Sequence, residues 1–346
     1  MSIMHNCSQD QGAIAVTIIV KALNEEKRIE ACLRSALAEL QGLHGEVILA
    51  DSLSSDRTVE IAARFAVEIV QFESAQDRGC GAAVQLGYQF ARGRYIYVLD
   101  ADMTLEPGFL ARAMAYLESH PEVAAVGGRL IDTQVNNAAD KMRIAHYAAV
   151  RETQSVASLG GGGLYRRSAV EAAGYLAHRW LPACEEAELG ARLVSAGWRL
   201  VRLPEAAVSH SGHQESTLQM LGRQWRNRRM QAYGMFLRSA LGRPWLRTVL
   251  GSCWFVFAAP LMHLTSLAIA ALGAVMGGAF LSLLGGAQLL LWGAVFCALA
   301  WRKKSPQEAL IAILAWHLYA VAALIGFIRP LGNPAIAIPA RVLRRT

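Results

Sequence analysis

The chain has 346 residues, room for about two domains. Hydrophobic residues make up 54% and charged ones only 18%, which excludes an ordinary soluble protein. The net charge of +7 is localised: Arg223, Arg226, Arg228, Arg229, Arg238, Arg243 and Arg247 lie in an acid-free stretch just before a long apolar region. A basic segment there points to anionic membrane lipid rather than nucleic acid.

Residues 1–12 have no basic region followed by an apolar core, so no cleavable signal is expected. The six cysteines (Cys7, Cys32, Cys80, Cys184, Cys253, Cys297) lack metal-ligand spacing and are expected as unpaired thiols in a reducing compartment. Residues 16–20 form a first strand, which breaks at Lys21-Ala22-Leu23-Asn24. Asn24 is expected to cap a helix with Glu25 and Glu26 in its first turn. Ile29, Cys32, Leu33, Ala36, Leu37 and Leu40 keep helical period in it. A second strand, 46–50, ends at Asp51, and Ser54, Ser55 and Asp56 offer caps for a helix over 58–65. A third strand, 67–70, leads to Arg78-Gly79-Cys80-Gly81 and a helix over 82–91. Strand 94–99 then runs straight into Asp100-Ala101-Asp102, and Pro107-Gly108 opens a new element. Alternation at this spacing means parallel βαβ units in an α/β fold.

In a parallel sheet these polar strand ends share the carboxyl edge, where ligands bind. Two carboxylates one residue apart suit a hard divalent cation, which fills its other positions with water and substrate phosphate. A helix cap plus a solvated acid is the competing reading. Asp51 can accept from a base or ribose, Arg78 can face phosphate, and Gly79 and Gly81 allow close backbone approach. No Gly-x-Gly-x-x-Gly follows the first strand and no Walker loop is present, which argues against dinucleotide and P-loop chemistry.

Four pieces then occur in order: Ile-Ile-Val-Lys-Ala-Leu-Asn-Glu-Glu, Ala-Asp-Ser-Leu-Ser-Ser-Asp-Arg-Thr, Arg-Gly-x-Gly-x-Ala with Gly87 and Gly93 following, and Leu-Asp-Ala-Asp. From residue 16 to about 215 the chain resembles an inverting family 2 glycosyltransferase of the GT-A fold. Ser52 stands where many members have a second Asp, and Leu53 where they have Gly. The resemblance implies that Leu23, Asn24, Glu25, Asp51, Arg78, Gly81, Asp100 and Ala101 surround a nucleotide-sugar. It makes Asp102 the principal ligand of Mg²⁺ or Mn²⁺, with Asp100 near ribose or metal.

A strand over 123–126 follows, then Gly160-Gly161-Gly162-Gly163 before another short strand and helix. Gly162 and Gly163 are expected beside a sugar, with Trp180 on the acceptor side. Cys184-Glu185-Glu186-Ala187-Glu188-Leu189 opens a helix over 189–196. It resembles the family's Glu-Asp-x-Glu-Leu signature, whose second acid is the general base. That implies Glu186 as base, with Glu185 orienting the loop. From the residues alone, an acidic first turn complementing the helix dipole is the favoured reading. After strand 198–203, the resemblance puts His210 near the donor phosphates and metal, and His213 less so. Gln224-Trp225-Arg226 is similar, in scrambled order, to the Gln-x-x-Arg-Trp element of membrane-bound family 2 synthases. An acceptor or diphosphate gate and an amphipathic interfacial helix both stay open there.

No Asp, Glu, Lys or Arg occurs over 249–301. Three spans are expected, over 249–272, 276–300 and 309–328. Arg302, Lys303 and Lys304 mark a cytoplasmic loop, with the catalytic domain on the same side. The third span would put Arg341, Arg344 and Arg345 outside, against the rule, unless one apolar segment lies in the interface or re-enters; Pro260 marks the first as suspect. His263 and His317 are expected to hydrogen-bond between helices.

The expected organisation is a GT-A domain over 13–215, a basic amphipathic segment over 216–248, a transmembrane region over 249–328 and a basic tail over 329–346. The resemblance implies metal-dependent, inverting transfer from a nucleotide-sugar, most often a UDP-sugar. The acceptor is a lipid-linked saccharide or glycolipid of surface polysaccharide synthesis, at the bacterial inner membrane. A homo-oligomer is compatible with it, and no nucleic acid is expected. Polyprenyl phosphate as acceptor is the first alternative. A sugar nucleotidyltransferase lacks its Gly-rich loop here, and a non-catalytic scaffold conflicts with the intact Asp100 and Asp102.

Overall fold

The computed structural model describes residues 14–211, 214–276 and 278–345; the N-terminal stretch to residue 13, with Cys7, and also His213 lie outside them. The chain forms two compact units. One runs to Thr217 and takes up the C-terminal segment from Gly332; the other is Leu218–Leu331.

The first unit begins with β1 (Val16–Ala22), α1 (Ile29–Glu39), β2 (Gly45–Asp51), α2 (Thr58–Ala62), β3 (Glu68–Phe72), α3 (Cys80–Phe90) and β4 (Tyr95–Asp100). It continues with β5 (Met103–Leu105), α4 (Phe109–Ser119), β6 (Val123–Asp132), α5 (Ala138–Ala148), β7 (Gln154–Val156), β8 (Gly163–Arg166), α6 (Arg167–Ala172), α7 (Glu185–Ser195) and β9 (Arg199–His210). The last strand, β10 (Ala340–Arg344), comes from the far end of the chain. The sheet order is β10-β3-β2-β1-β4-β8-β6-β9-β5, with β7 beside β9.

β1, β2, β3 and β4 pair in parallel, as the βαβ alternation requires. Successive side chains of a strand point to opposite faces, and both faces are covered here. Tyr95, Tyr97 and Leu99 pack with Ile29 and Leu33 of α1 and Phe109 and Leu110 of α4. Ile96 and Val98 pack with Leu86 of α3, Val170 of α6, and Leu189 and Leu193 of α7. Burial on both faces is why these strands read as near-continuous apolar runs.

Three local departures from the sequence reading have physical causes. Asn24 does not cap α1, which starts at Ile29. Its φ of 57° is left-handed, and its Oδ1 accepts from Ser55 N at 2.8 Å, closing a loop instead. The strand expected over 198–203 continues to His210, because β6 and β5 flank it. The basic tail carries β10, which pairs antiparallel with the exposed edge of β3. Arg179 fastens its approach by donating to the carbonyls of Ile336 and Ala337. Gln89 does so by a reciprocal pair of bonds with Ile338.

The second unit holds most of α8 (Thr217–Arg226), then α9 (Ala232–Ser239), α10 (Leu246–Ser252), α11 (Phe255–Met276), α12 (Gly278–Lys303) and α13 (Pro306–Ile328). Three helices, α11, α12 and α13, are long and apolar enough to cross a membrane. The first expected span is split, since the chain breaks between α10 and α11; α11 contains Pro260. His263 Nε2 and His317 Nε2 are 2.9 Å apart across α11 and α13. α9 packs tightly on α13: a Cβ on Gly234 would strike the Ala323 carbonyl, and one on Gly326 the Gln231 carbonyl. Cys32, Cys80, Cys184, Cys253 and Cys297 are free thiols.

Candidate active site

Parallel pairing sets Ala22 opposite Asp51 and Lys21 opposite Asp100, so the ends of β1, β2 and β4 form one edge. Two loops are clasped there. Asn24 N donates to Ser54 Oγ at 2.9 Å, and Glu25 N to Thr58 Oγ1 at 2.8 Å. The Glu25 carboxylate pairs with Arg28 at 2.9 Å; burial outweighs that pairing and raises its pKa. Leu23 is exposed at the same turn. Asp51 is fully buried. Its Oδ2 accepts from Ser54 N at 3.0 Å and Gln71 Nε2 at 2.8 Å, whereas Oδ1 has no partner among the described residues. A buried acceptor left so costs about 1–3 kcal/mol, which a ligand's N–H or O–H would offset. Arg78 is exposed beside it and donates to the Ser52 carbonyl at 3.3 Å. Gly81 lies beneath the loop at 178–181, where a Cβ would strike the His178 carbonyl. Its missing side chain therefore serves helix packing.

The second group gathers at β4, β5, β6 and β9. Met103 of β5 and Asp132 of β6 both stand opposite His210 of β9. The chain turns through Ala101 and Asp102 between β4 and β5, so Asp102 arrives beside the imidazole: His210 Nε2 is 3.3 Å from Asp102 Oδ2. His210 Nδ1 is 2.7 Å from Asp132 Oδ1. Burial alone would raise the Asp132 carboxyl; its bonds to Arg143 and His210 prevail and hold it below the usual range. Burial would lower His210, and Asp102 and Asp132 prevail to raise it. Among the described residues no group of three His, Cys, Asp or Glu forms a closed metal cage. The Asp102 carboxylate and the His210 imidazole lie side by side at the sheet edge, side chains of the kinds that can coordinate a divalent cation.

The third group opens α7. Glu185 is buried and meets Lys21 Nζ at 2.8 Å, while Asp100 Oδ1 lies 3.1 Å from the same nitrogen. Burial disfavours the Lys21 ammonium, but Asp100 and Glu185 outweigh it and raise its pKa well above the ordinary value. Asp100 is thus bound to Lys21, and it is Asp102 that faces His210. Glu186 lies beside the glycine loop: a Cβ on Gly160 would lie 3.9 Å from its Oε2. The Gly160 carbonyl accepts from the Tyr147 hydroxyl at 2.5 Å. Gly162 has φ +93°, and a Cβ there would sit 3.1 Å from the Tyr97 hydroxyl, so the glycines let this loop press on β4. Glu188 is structural. It accepts from Tyr175 Oη at 2.6 Å and Arg192 Nε at 2.9 Å.

The remaining expected residues belong to other segments. The Trp180 indole donates to the Asn333 carbonyl at 3.3 Å and holds the returning C-terminal segment. Gln224, Trp225 and Arg226 belong to α8 in the second unit, where Gln224 Oε1 accepts from Tyr319 Oη at 2.6 Å. Lys21, Asp132 and Arg143 escaped the sequence reading. Only the position of Asp132 at the carboxyl end of a strand could have flagged it.

The chain matches the model described as glycosyl transferase family 2 over residues 17–172, and that of glycosyl transferase family group 2 over residues 95–328. It belongs to glycosyltransferase family 2. This glycosyltransferase is 34% identical over 121 residues to the low-salt glycan biosynthesis hexosyltransferase Agl6 of Haloferax volcanii, covering 34% of this chain and 28% of Agl6. It is 26% identical over 120 residues to a dolichol-phosphate mannosyltransferase of Pyrococcus furiosus, covering 34% and 33%. The chain thus spans about a third or less of these curated relatives' own length. Its fold resembles that of the mannosyltransferase PcManGT from Pyrobaculum calidifontis, solved with GDP-Man and Mn²⁺, with a TM-score of 0.61 and 22% identity over 92% of this chain and 88% of that one. The expected α/β, GT-A architecture followed by apolar helices is what the glycosyltransferase has.

Proposed function

We propose that this glycosyltransferase transfers a sugar, with inversion, from a nucleotide-sugar to a lipid-borne acceptor at a membrane surface. The observation that carries the reading is that Asp102 meets His210 at the sheet edge where Lys21 also ties Asp100 to the acidic start of α7. Asp51, with its orphaned Oδ1, and Arg78 would hold the nucleoside and diphosphate. Asp102 and His210 fit a divalent cation by their chemistry, and PcManGT was solved with Mn²⁺. When bound, Mg²⁺ or Mn²⁺ would stabilise charge on the departing diphosphate. Glu186, beside the glycine loop, takes the proton of the acceptor hydroxyl as that oxygen attacks the anomeric carbon. The bond to the diphosphate breaks on the opposite face, so no protein nucleophile is needed. A screen of UDP- and GDP-sugars with the detergent-purified chain, following released nucleoside diphosphate, tests this; no release from any donor would refute it.

A second reading has its own support. Relatives include the dolichol-phosphate mannosyltransferase above and a dolichyl-phosphate β-glucosyltransferase of Drosophila melanogaster. With a polyprenyl phosphate acceptor the attacking oxygen is already ionised, and Glu186 would be dispensable as base.

The pairing of β10 supports a membrane arrangement for this reading. It shares a sheet with β3, so the segment between them leaves and returns on one side of a membrane. The crossings are then even in number. Arg302, Lys303 and Lys304 favour the cytoplasmic side, which makes α11 and α12 the crossing pair. α13, which packs along α9, does not cross in this reading. The Arg-rich stretch of α8 and α9 lies against anionic lipid there.

A further inference from the structure

Asp132 belongs to none of the motifs that point to the donor site, yet it stands in register with His210. Its side chain is only 1% exposed. Arg143 donates to both of its oxygens, Nε to Oδ2 at 2.8 Å and Nη2 to Oδ1 at 2.6 Å. Asp140 takes a further bond from Arg143 Nη2 at 2.8 Å, which fixes the guanidinium in turn. A carboxylate holding two guanidinium N–H groups is an acceptor only. His210 Nδ1 faces that carboxylate at 2.7 Å and therefore carries hydrogen; its 3.4 Å approach to Arg143 Nη2, already donating to two carboxylates, is too long to compete. In the neutral ring the free lone pair is then on Nε2, the nitrogen that faces Asp102 Oδ2 at 3.3 Å. Two electron-pair donors turned toward one point are what a cation stabilises.

We propose that Asp132 is a positioning residue of the metal site: it fixes the ring and tautomer of His210 so that Nε2 is offered to the cation beside Asp102, while Arg143 holds the carboxylate still. This rests on reading Asp102 and His210 as metal ligands. Partners that orient a ligating imidazole are typically worth about 10–100-fold in metal affinity.

The test is a Mn²⁺ titration of the full chain in detergent, with free Mn²⁺ followed by electron paramagnetic resonance. Asp132→Asn should weaken Mn²⁺ binding roughly 10–100-fold. In a His210→Ala background the same substitution should change nothing further, because Asp132 acts only through that ring. Asp132→Glu keeps the charge and should recover part of the loss. If Asp132→Asn does not fold, Arg143→Lys loosens the same carboxylate and should weaken binding about tenfold. Wild-type Mn²⁺ affinity in Asp132→Asn, or an equal loss with and without His210, overturns the proposal. Wild-type affinity in Asp102→Asn refutes the metal site itself, and the proposal falls with it.

Discussion

The Lys21 ammonium lies 2.8 Å from the Glu185 carboxylate and joins the end of β1 to the first turn of α7. The same nitrogen holds Asp100 at 3.1 Å, so one cation fixes both the donor-side strand end and the acidic helix start. Lys21→Met would leave two carboxylates facing each other in poorly hydrated surroundings. Breaking a buried ion pair costs roughly 3–5 kcal/mol, and the partial exposure of Asp100 puts the loss near the lower end, about 3 kcal/mol. The pKa of Lys21 is raised by folding, so its contribution is complete below its unfolded value near 10.4 and is lost as pH climbs beyond it. Thermal denaturation of wild type and Lys21→Met should therefore show a constant gap from about pH 8 to 9, narrowing toward acid as the carboxylates left without Lys21 take up a proton. A gap that closes within that range contradicts this role.

Asp102→Asn should reduce transfer by about 10³-fold or more, since a neutral amide replaces a charged ligand worth several kcal/mol at the leaving diphosphate. A chelator should abolish wild-type activity, and added Mn²⁺ should restore it. Full turnover in chelator would rule out a metal at Asp102.

Reporter fusions at Lys303 and after Arg344 should both report the side that holds the catalytic sheet. Opposite signals at the two sites would mean that α13 crosses the membrane and would overturn α11 and α12 as the crossing pair.

Much of this was legible in the sequence because two-sided burial writes itself as apolar runs. β1, β2 and β4 are such runs, and their polar ends mark the carboxyl edge. The short antiparallel strands β5, β7 and β8 have three or four residues each and owe their form to their neighbours. β10, Ala-Arg-Val-Leu-Arg, mixes basic and apolar residues like any charged tail, and the edge of β3, far away in sequence, turns it into a strand. Asn24 has the chemistry of a helix cap, but Ser55 takes its side chain. Asp132 and Lys21 matter through register, and register between distant strands is not written in local pattern.

Glu186 is where the account is most exposed. Glu185 meets Lys21, Glu188 accepts from Tyr175 and Arg192, and Glu186 lies beside the glycine loop. The deciding measurement is turnover and nucleotide affinity of Glu186→Gln at saturating metal, beside Glu185→Gln and Glu188→Gln. The account predicts that Glu186→Gln loses about 10²–10⁴-fold in turnover, the usual worth of a general base, with nucleotide affinity unchanged. A fully active Glu186→Gln would contradict it, pointing to Glu185 if that variant is dead, and to a phosphate acceptor if all three keep turning over.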